Sequence, residues 1–268
     1  MAKVGRVARR KRNRELIRAT GLGLLLLAVL SMGGYFFVHR DIAPDRATLC
    51  PASGPLGHYV VLVDNTDPYN FMQRQAFLQS LTALAEEKVE EGHLLSIYVL
   101  GAEVSEHATP VFEKCNPGVG AGKSEMTANL ARIKKRYEDE FKKPILKLSE
   151  SVLVDKPSDR SPIFEMLQIA SINGFRAKDV QGDRVLVIFS DMLPNTQEFS
   201  MFKGYGSFSS FLDSHYGRKS QTDLGGVKVE VNYLLNYPKL QTRSQLSFWE
   251  EYFKKAGARI VSVKTLEG

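Results

Sequence analysis

The sequence predicts an α/β domain with a mostly parallel sheet covered by helices on both faces, carried behind one N-terminal transmembrane helix. Two observations predict the domain: compact apolar runs rich in β-branched residues, and amphipathic stretches of helical period that alternate with them. Parallel neighbours need a crossover, and a helix between strands supplies it. A third observation predicts the anchor: an uncharged twenty-residue stretch directly follows a basic tail.

The tail is residues 1–18, with eight Lys or Arg against Glu15 alone, a net of +7. The whole chain carries +6, so the other 250 residues sum to −1 and the domain is near neutral. A nucleic-acid surface is therefore not expected, since the basic balance belongs to the tail. Residues 19–38 are the predicted transmembrane helix, about 30 Å long at 1.5 Å per residue. Tyr35, Phe36 and Phe37 fall where an aromatic interface belt is favoured, and the basic flank keeps the tail cytoplasmic. The chain thus reads as a single-pass membrane protein with a periplasmic or other extracytoplasmic C-terminal domain, whose lipid contact is residues 19–38. A cleaved signal peptide shares the basic-then-apolar order. Its apolar core would be unusually long, however, and Pro44 follows Ala43, the only small-residue cleavage candidate. Residues 39–57, rich in Pro, Gly and small residues, are expected to be a linker.

The domain, residues 58–268, begins with a strand over His58–Val63 that is apolar enough to be buried on both faces. A helix is expected over Phe71–Glu91, closed by Gly92, then a strand at Leu94–Leu100 and an edge strand at Ala108–Phe112. A charged helix follows over Ser124–Phe141, a weaker amphipathic segment over Ile145–Val154, and a helix over Pro162–Asn173. Arg184–Phe189 is a further buried strand. Pro194–Gly226 reads as a long excursion with one or two short helices. A strand at Val227–Leu235, a helix at Ser244–Ala256 carrying Trp249, and a last strand at Arg259–Val263 complete the order. Hydrophobic content of 43% and charged content of 25% are ordinary for a globular domain.

Cys50 and Cys115 are the two cysteines, and both fall on the exported side, where a pair is expected to form a disulfide. Two buried thiols are the alternative. Within the long excursion, Phe208 and Phe211 sit among Gly and Ser. They read either as anchors of an ordinary surface loop or as partner-binding side chains.

In a sheet of this kind, sites form beyond the carboxyl ends of the strands, where strand order reverses. Three segments supply oxygen-bearing side chains there: VVLVDNTDP at 60–68, DRSPIFEMLQIAS at 159–171 and RVLVIFSDML at 184–193. Together they resemble a von Willebrand factor A-type domain over roughly residues 58–264. The resemblance implies a Rossmann-like fold and a metal-ion-dependent adhesion site. In that site Asp64 and Thr66 match the opening motif, Ser161 the loop hydroxyl and Asp191 the closing carboxylate. The second Ser of the motif is Pro68 here, which has no ligand atom; Asp67 beside it is the substitute. Such a set would suit Mg²⁺, which takes oxygen ligands. The resemblance further implies protein–protein recognition, with Asp64, Asp67 and Asp191 facing another envelope protein. The same residues also admit helix capping: Asp67-Pro68 and Ser161-Pro162 both read as an N-cap followed by Pro at N1, and Asp191 as a turn cap.

An enzyme is not expected. A metal-dependent phosphoesterase or nuclease using the same carboxylates is the alternative, but Arg160 is the one nearby candidate for a phosphate clamp. A structural subunit with a dead metal site is a third reading. Gly120-Ala121-Gly122-Lys123-Ser124 resembles a phosphate loop, but the required first glycine is Pro117, so no nucleotide is expected. The five histidines are scattered with none at metal-pair spacing, and there is no Gly-x-Ser-x-Gly elbow.

Overall fold

A computed structural model describes residue 18 and residues 20–35, 44–101, 108–122, 129–153, 158–178, 180 and 182–266. The chain divides into two units, Met1–Ala43 and Pro44–Gly268. In the first unit residues 20–35 are helical (α1). Its leucines, Val29, Met32 and Tyr35 are all exposed, so the helix is apolar all round. Among the described residues no helix is long and apolar enough to cross a membrane; residues 19 and 36–38 of the expected span lie outside them.

The second unit is built on a six-stranded sheet in the order β3-β2-β1-β4-β5-β6. The strands are β1 (His58–Asp64), β2 (Leu94–Leu100), β3 (Phe112–Cys115), β4 (Arg184–Ser190), β5 (Lys228–Leu234) and β6 (Arg259–Leu266). All neighbours are parallel except β2 and β3. The expected edge strand at Ala108–Phe112 is therefore displaced: pairing starts at Phe112, where Phe112-Glu-Lys-Cys lies antiparallel on Ile97–Leu94.

The expected alternation of strands and helices is realised with altered bounds. Helix α2 (Phe71–Ala83) continues as a π-helical turn through Lys88. Gly92 does not cap it; Gly92 sits at φ +83 in the turn into β2, a region open to glycine without a Cβ penalty. The charged helix is α3 (Leu130–Arg136) with a π-helical extension through Lys142, then α4 (Lys143–Ser151); its expected start at Ser124 lies outside the described residues. Helix α5 (Ile163–Ile169) runs on as a π-helical turn to Phe175. The excursion holds a short 3₁₀ turn at Met201–Lys203 and the helices α6 (Phe208–Asp213) and α7 (His215–Lys219), and α8 (Arg243–Lys255) precedes β6.

Strand alternation sorts the core into two layers. Val60 and Leu62 of β1 join Phe164, Phe248, Trp249 and Phe253 on one face. Val61 and Val63 join Phe77, Leu81, Phe141 and Ile145 on the other. Both faces being covered explains why β1, β2 and β4 read as continuous apolar runs. Phe208 and Phe211 belong to this core: both are buried, with Phe211 5.0 Å from Phe164 and 5.2 Å from Phe248, centroid to centroid. They pack the sheet and do not present a partner surface.

The two sheet edges are finished differently. At β3, Cys115 is bonded to Cys50, as the sequence led us to expect, and the Cys115 amide donates to Thr48 O at 2.8 Å. Residues 44–57 are thus part of the compact unit and not a free linker, with Leu49 buried. At β6, the pairing to β5 slips between Val229 and Glu230, where Val261 is the extra residue on β6. Such a bulge blunts an open edge against further pairing.

Beneath β1 the buried His58 Nε2–H donates to Ser96 Oγ at 2.8 Å, and the Ser96 hydroxyl donates onward to Glu113 Oε2 at 3.0 Å. Burial, helped by the charge of Lys178, lowers the His58 pKa to about 3.

Two outcomes follow. Replacing Cys50 and Cys115 by Ser should cost about 2–4 kcal/mol, read as a lower urea midpoint. The unfolded chain binds a proton at His58 that the folded one refuses. Stability should therefore fall as pH drops from about 6.5 toward 3, by about 1.4 kcal/mol per unit from this residue alone. His58→Gln should flatten that slope in urea titrations at stepped pH; an unchanged slope would refute the assignment.

Candidate functional site

Strand order reverses between β1 and β4. From β1 the chain crosses by α2 to β2 on one side; from β4 it crosses by α6 and α7 to β5 on the other. The loops leaving these neighbours diverge and open a crevice at their carboxyl ends. Asp64 is the last residue of β1, Ser190 the last of β4, and Asp191 follows it.

Asp64 is buried and hydrogen-bonded through both oxygens. Its Oδ1 accepts from the Thr66 amide at 3.1 Å and the Thr66 hydroxyl at 2.7 Å, and its Oδ2 accepts from the Ser190 hydroxyl at 2.7 Å. The last bond ties β1 to β4 across the reversal point. Asp191 is also buried, and its Oδ1 accepts from the Leu193 amide at 2.8 Å, the turn cap that the capping alternative describes. Its Oδ2 is buried with no hydrogen-bond partner, and so is Ser161 Oγ. Unpaired buried oxygens are costly, and each calls for an explanation.

The capping alternatives fail at two of the three positions. Helix α2 starts at Phe71, and Asn70 caps it in a reciprocal pair with Gln73, so Asp67-Pro68 lies before the helix. Ser161 makes no cap, because the residue bounding α5 is Pro162, without a side-chain hydrogen bond. Ser161 is instead fixed by two backbone bonds to Asn195. Thr66 O accepts from the Ser158 amide at 2.7 Å, which brings the Ser161 loop alongside β1's exit. Asp67 is half-buried, and its Oδ1 accepts from the Tyr237 hydroxyl at 3.1 Å.

Burial raises the Asp191 carboxyl well above the usual range; the charge of Asp64 adds to the shift, and Asp67 adds further. Burial also raises Asp64, against the three hydrogen bonds that favour its charged form. The site is a pair of buried carboxylates that resist being charged together.

Several supports were not visible in the sequence. Met192 sits at φ +57, a strained region for a side chain of its size. It is held there from three sides. Its amide donates to Ser190 Oγ at 2.9 Å, and its carbonyl accepts from Trp249 Nε1 at 2.8 Å and Gln245 Nε2 at 2.5 Å. Gln241 Nε2 donates to Asp191 O at 3.0 Å. The only signal in the sequence was Ser190 beside Asp191; the supports from α8 lie about fifty residues downstream.

As a cation site the residues fit in kind. Asp191 Oδ2 and Ser161 Oγ are free acceptors, Asp64 and Thr66 add hard oxygens, and no soft ligand intrudes. Among the described residues no group of three or more His, Cys, Asp or Glu is placed to hold a metal. A cation here therefore depends on the two hydroxyls as well as the carboxylates. Of the resembling loop, Gly120 and Gly122 take positive φ, and Lys123 and Ser124 lie outside the described residues.

No family model and no curated relative matches the chain. Among solved structures, an aerotolerance-related membrane protein from Bacteroides fragilis aligns at 12% identity and TM-score 0.33, over 76% of this chain and 90% of that one. The manganese-loaded TRAP protein of Plasmodium vivax aligns at 11% identity and TM-score 0.28, over 66% of this chain and 56% of its own length. Likenesses this loose carry no argument about the site.

Asp191→Asn removes one of two opposed buried charges. A group whose folded pKa is raised stabilises the fold at low pH and loses that contribution as pH rises through its folded value. With chelator present, Asp191→Asn should therefore match the parent near pH 4 and exceed it by about 1 kcal/mol or more near pH 8. Equal stability at both pH values would contradict the reading.

Proposed function

We propose that this chain is a membrane-tethered, extracytoplasmic interaction module of the von Willebrand A type. It docks another envelope protein on the strand-end face around Asp64, Thr66, Ser161 and Asp191. One observation carries the proposal. Two buried carboxylates and two hydroxyl-bearing side chains are gathered at the reversal point, and one carboxylate oxygen and one hydroxyl are left unpaired. Buried oxygens left unmatched inside the protein call for an explanation, and a bound ion is one that suits this set of oxygens.

Mg²⁺ is the cation whose ligand preference matches, and when bound it would offer an open position to an acidic side chain of the partner. Asp64 and Asp191 supply the negative charge, Ser161 and Thr66 the neutral oxygens. Asp67, which accepts from the Tyr237 hydroxyl, borders the site and its carboxyl also approaches that of Asp191. The Ser190 bond to Asp64 and the clamp on Met192 hold the two carboxylates in place, so little ordering remains for binding to pay for.

The anchor reading rests on the uncharged run at 19–38, its basic flank and the exposed apolar side chains of α1. The disulfide accords with an oxidising compartment.

The test is capture of envelope partners by the full chain in detergent, with Mg²⁺ or chelator, for the parent, Asp64→Ala and Ser161→Ala. Partner recovery should fall at least tenfold with chelator and with either substitution, while the disulfide and thermal unfolding stay cooperative. Undiminished recovery by folded variants would exclude this face. For topology, a thiol-reactive, membrane-impermeant label on intact cells should reach a cysteine placed at Lys239 and miss one placed at Val7. The reverse pattern would overturn the orientation.

A further inference from the structure

The strand-end face has two lips, and their side chains are unlike its floor. On one side, the start of α2 exposes Phe71 at 77% and Met72 at 56%, next to the exposed Pro68. Helix starts seldom leave two large apolar side chains in water, and a cluster of them marks a contact surface. On the other side Phe202, exposed at 39%, meets Tyr237, exposed at 37%, ring against ring at 5.0 Å. The lips are joined: Gln73 Nε2 of α2 donates to Asn236 Oδ1 beside Tyr237 at 2.8 Å, and the Tyr237 hydroxyl reaches Asp67 on the floor.

The second lip is also cationic. Lys203 follows Phe202, Lys239 follows Tyr237 by two, and Arg243 opens α8; all three are exposed. The segments 200–206 and 235–243 contain no Asp or Glu. Glu198, the acid before the first, is paired with Lys219, and Glu230, the acid before the second, with Lys88. In a domain whose overall charge is close to neutral, three exposed cations beside four exposed apolar side chains form a directional patch.

We infer that this face takes an acidic partner segment whose Asp or Glu residues are flanked by apolar side chains. The inference rests on the strand-end face being the docking face. The apolar side chains of the segment pack on Phe71, Met72, Phe202 and Tyr237, and its carboxylates run along Lys203, Lys239 and Arg243. An anionic bilayer is the poorer fit. A flat surface engaging both lips would have to desolvate the half-buried Asp67 and the carboxylates behind it without neutralising them. A segment one chain wide can keep to the lips. These contacts are made by the rim and do not require an ion in the site.

The experiment is selection from a displayed library of random dodecapeptides against the immobilised full chain in detergent, carried out in chelator. Enriched peptides should carry Asp or Glu among apolar residues. Their affinity, measured by fluorescence polarisation, should fall at least tenfold for Lys203→Glu/Lys239→Glu/Arg243→Glu and for Phe71→Ser/Met72→Ser. Raising salt should weaken the first contribution and spare the second. Both sets of substitutions are on exposed side chains, and cooperative unfolding checks the fold. Enrichment of basic or uncharged peptides, or indifference to either variant, overturns the inference. So does tighter binding of the parent to phosphatidylglycerol vesicles that is lost in the same variants. So does parent self-association that Phe71→Ser/Met72→Ser abolishes. Because selection and affinities are measured in chelator, loss of peptide binding reports on the rim alone, and Mg²⁺ binding by the parent, read by calorimetry, reports separately on the cation reading.

Discussion

The hydrogen bond from Ser190 to Asp64 closes the seam on which the domain turns. It joins the ends of β1 and β4, the two central strands, at the point where their connections leave in opposite directions. Because the sheet is covered on both faces, β1 and β4 are apolar along their length and can afford polar side chains only at their ends. Those ends are where the carboxylates lie. The crevice is thus a consequence of topology, and its charge a consequence of what the ends of two buried strands may carry.

Holding two carboxylates there has a local cost, and the surroundings show how it is met. Asp64 is stabilised by three hydrogen bonds. Asp191 has one, and its second oxygen is left bare. The chain beyond Asp191 is kept in place by force: Met192 takes a positive φ, and Trp249 and Gln245 of α8 grip its carbonyl. Strain of this kind persists only where the surrounding structure over-determines it, and it gathers at functional sites. The fold stabilises the geometry of the site from α8 and leaves its charge to be neutralised by a proton or a cation.

Much of this was legible in the sequence, for definite reasons. Strands β1, β2 and β4 stand out because burial on both faces forbids polar residues, and Asp64 and Asp191 stand out because they end such runs. The disulfide followed from two cysteines on one side of an expected anchor. What was not legible depends on distant packing. The edge strand begins at Phe112 because Cys115 must meet both Leu94 and Thr48. Asp67-Pro68 looks like a helix start, yet Asn70 and Gln73 form a reciprocal cap three residues later and win. Phe208 and Phe211 look like a loop's display and are core, because α6 folds back on Phe164 and Phe248. The clamp on Met192 has no local signature at all.

The central claim is that the unmatched oxygens at the reversal point are completed by a divalent cation. Calorimetric titration of Mg²⁺ into the chelator-treated full chain, repeated in two buffers of different ionisation enthalpy, tests it most directly. The account predicts saturable 1:1 binding with proton release, because Asp191 must give up the proton its burial favours. Ser161→Ala should weaken that binding and Asp191→Asn should abolish the proton release. Absence of binding heat in both buffers, or binding unchanged in Ser161→Ala and Asp191→Asn, would contradict the account.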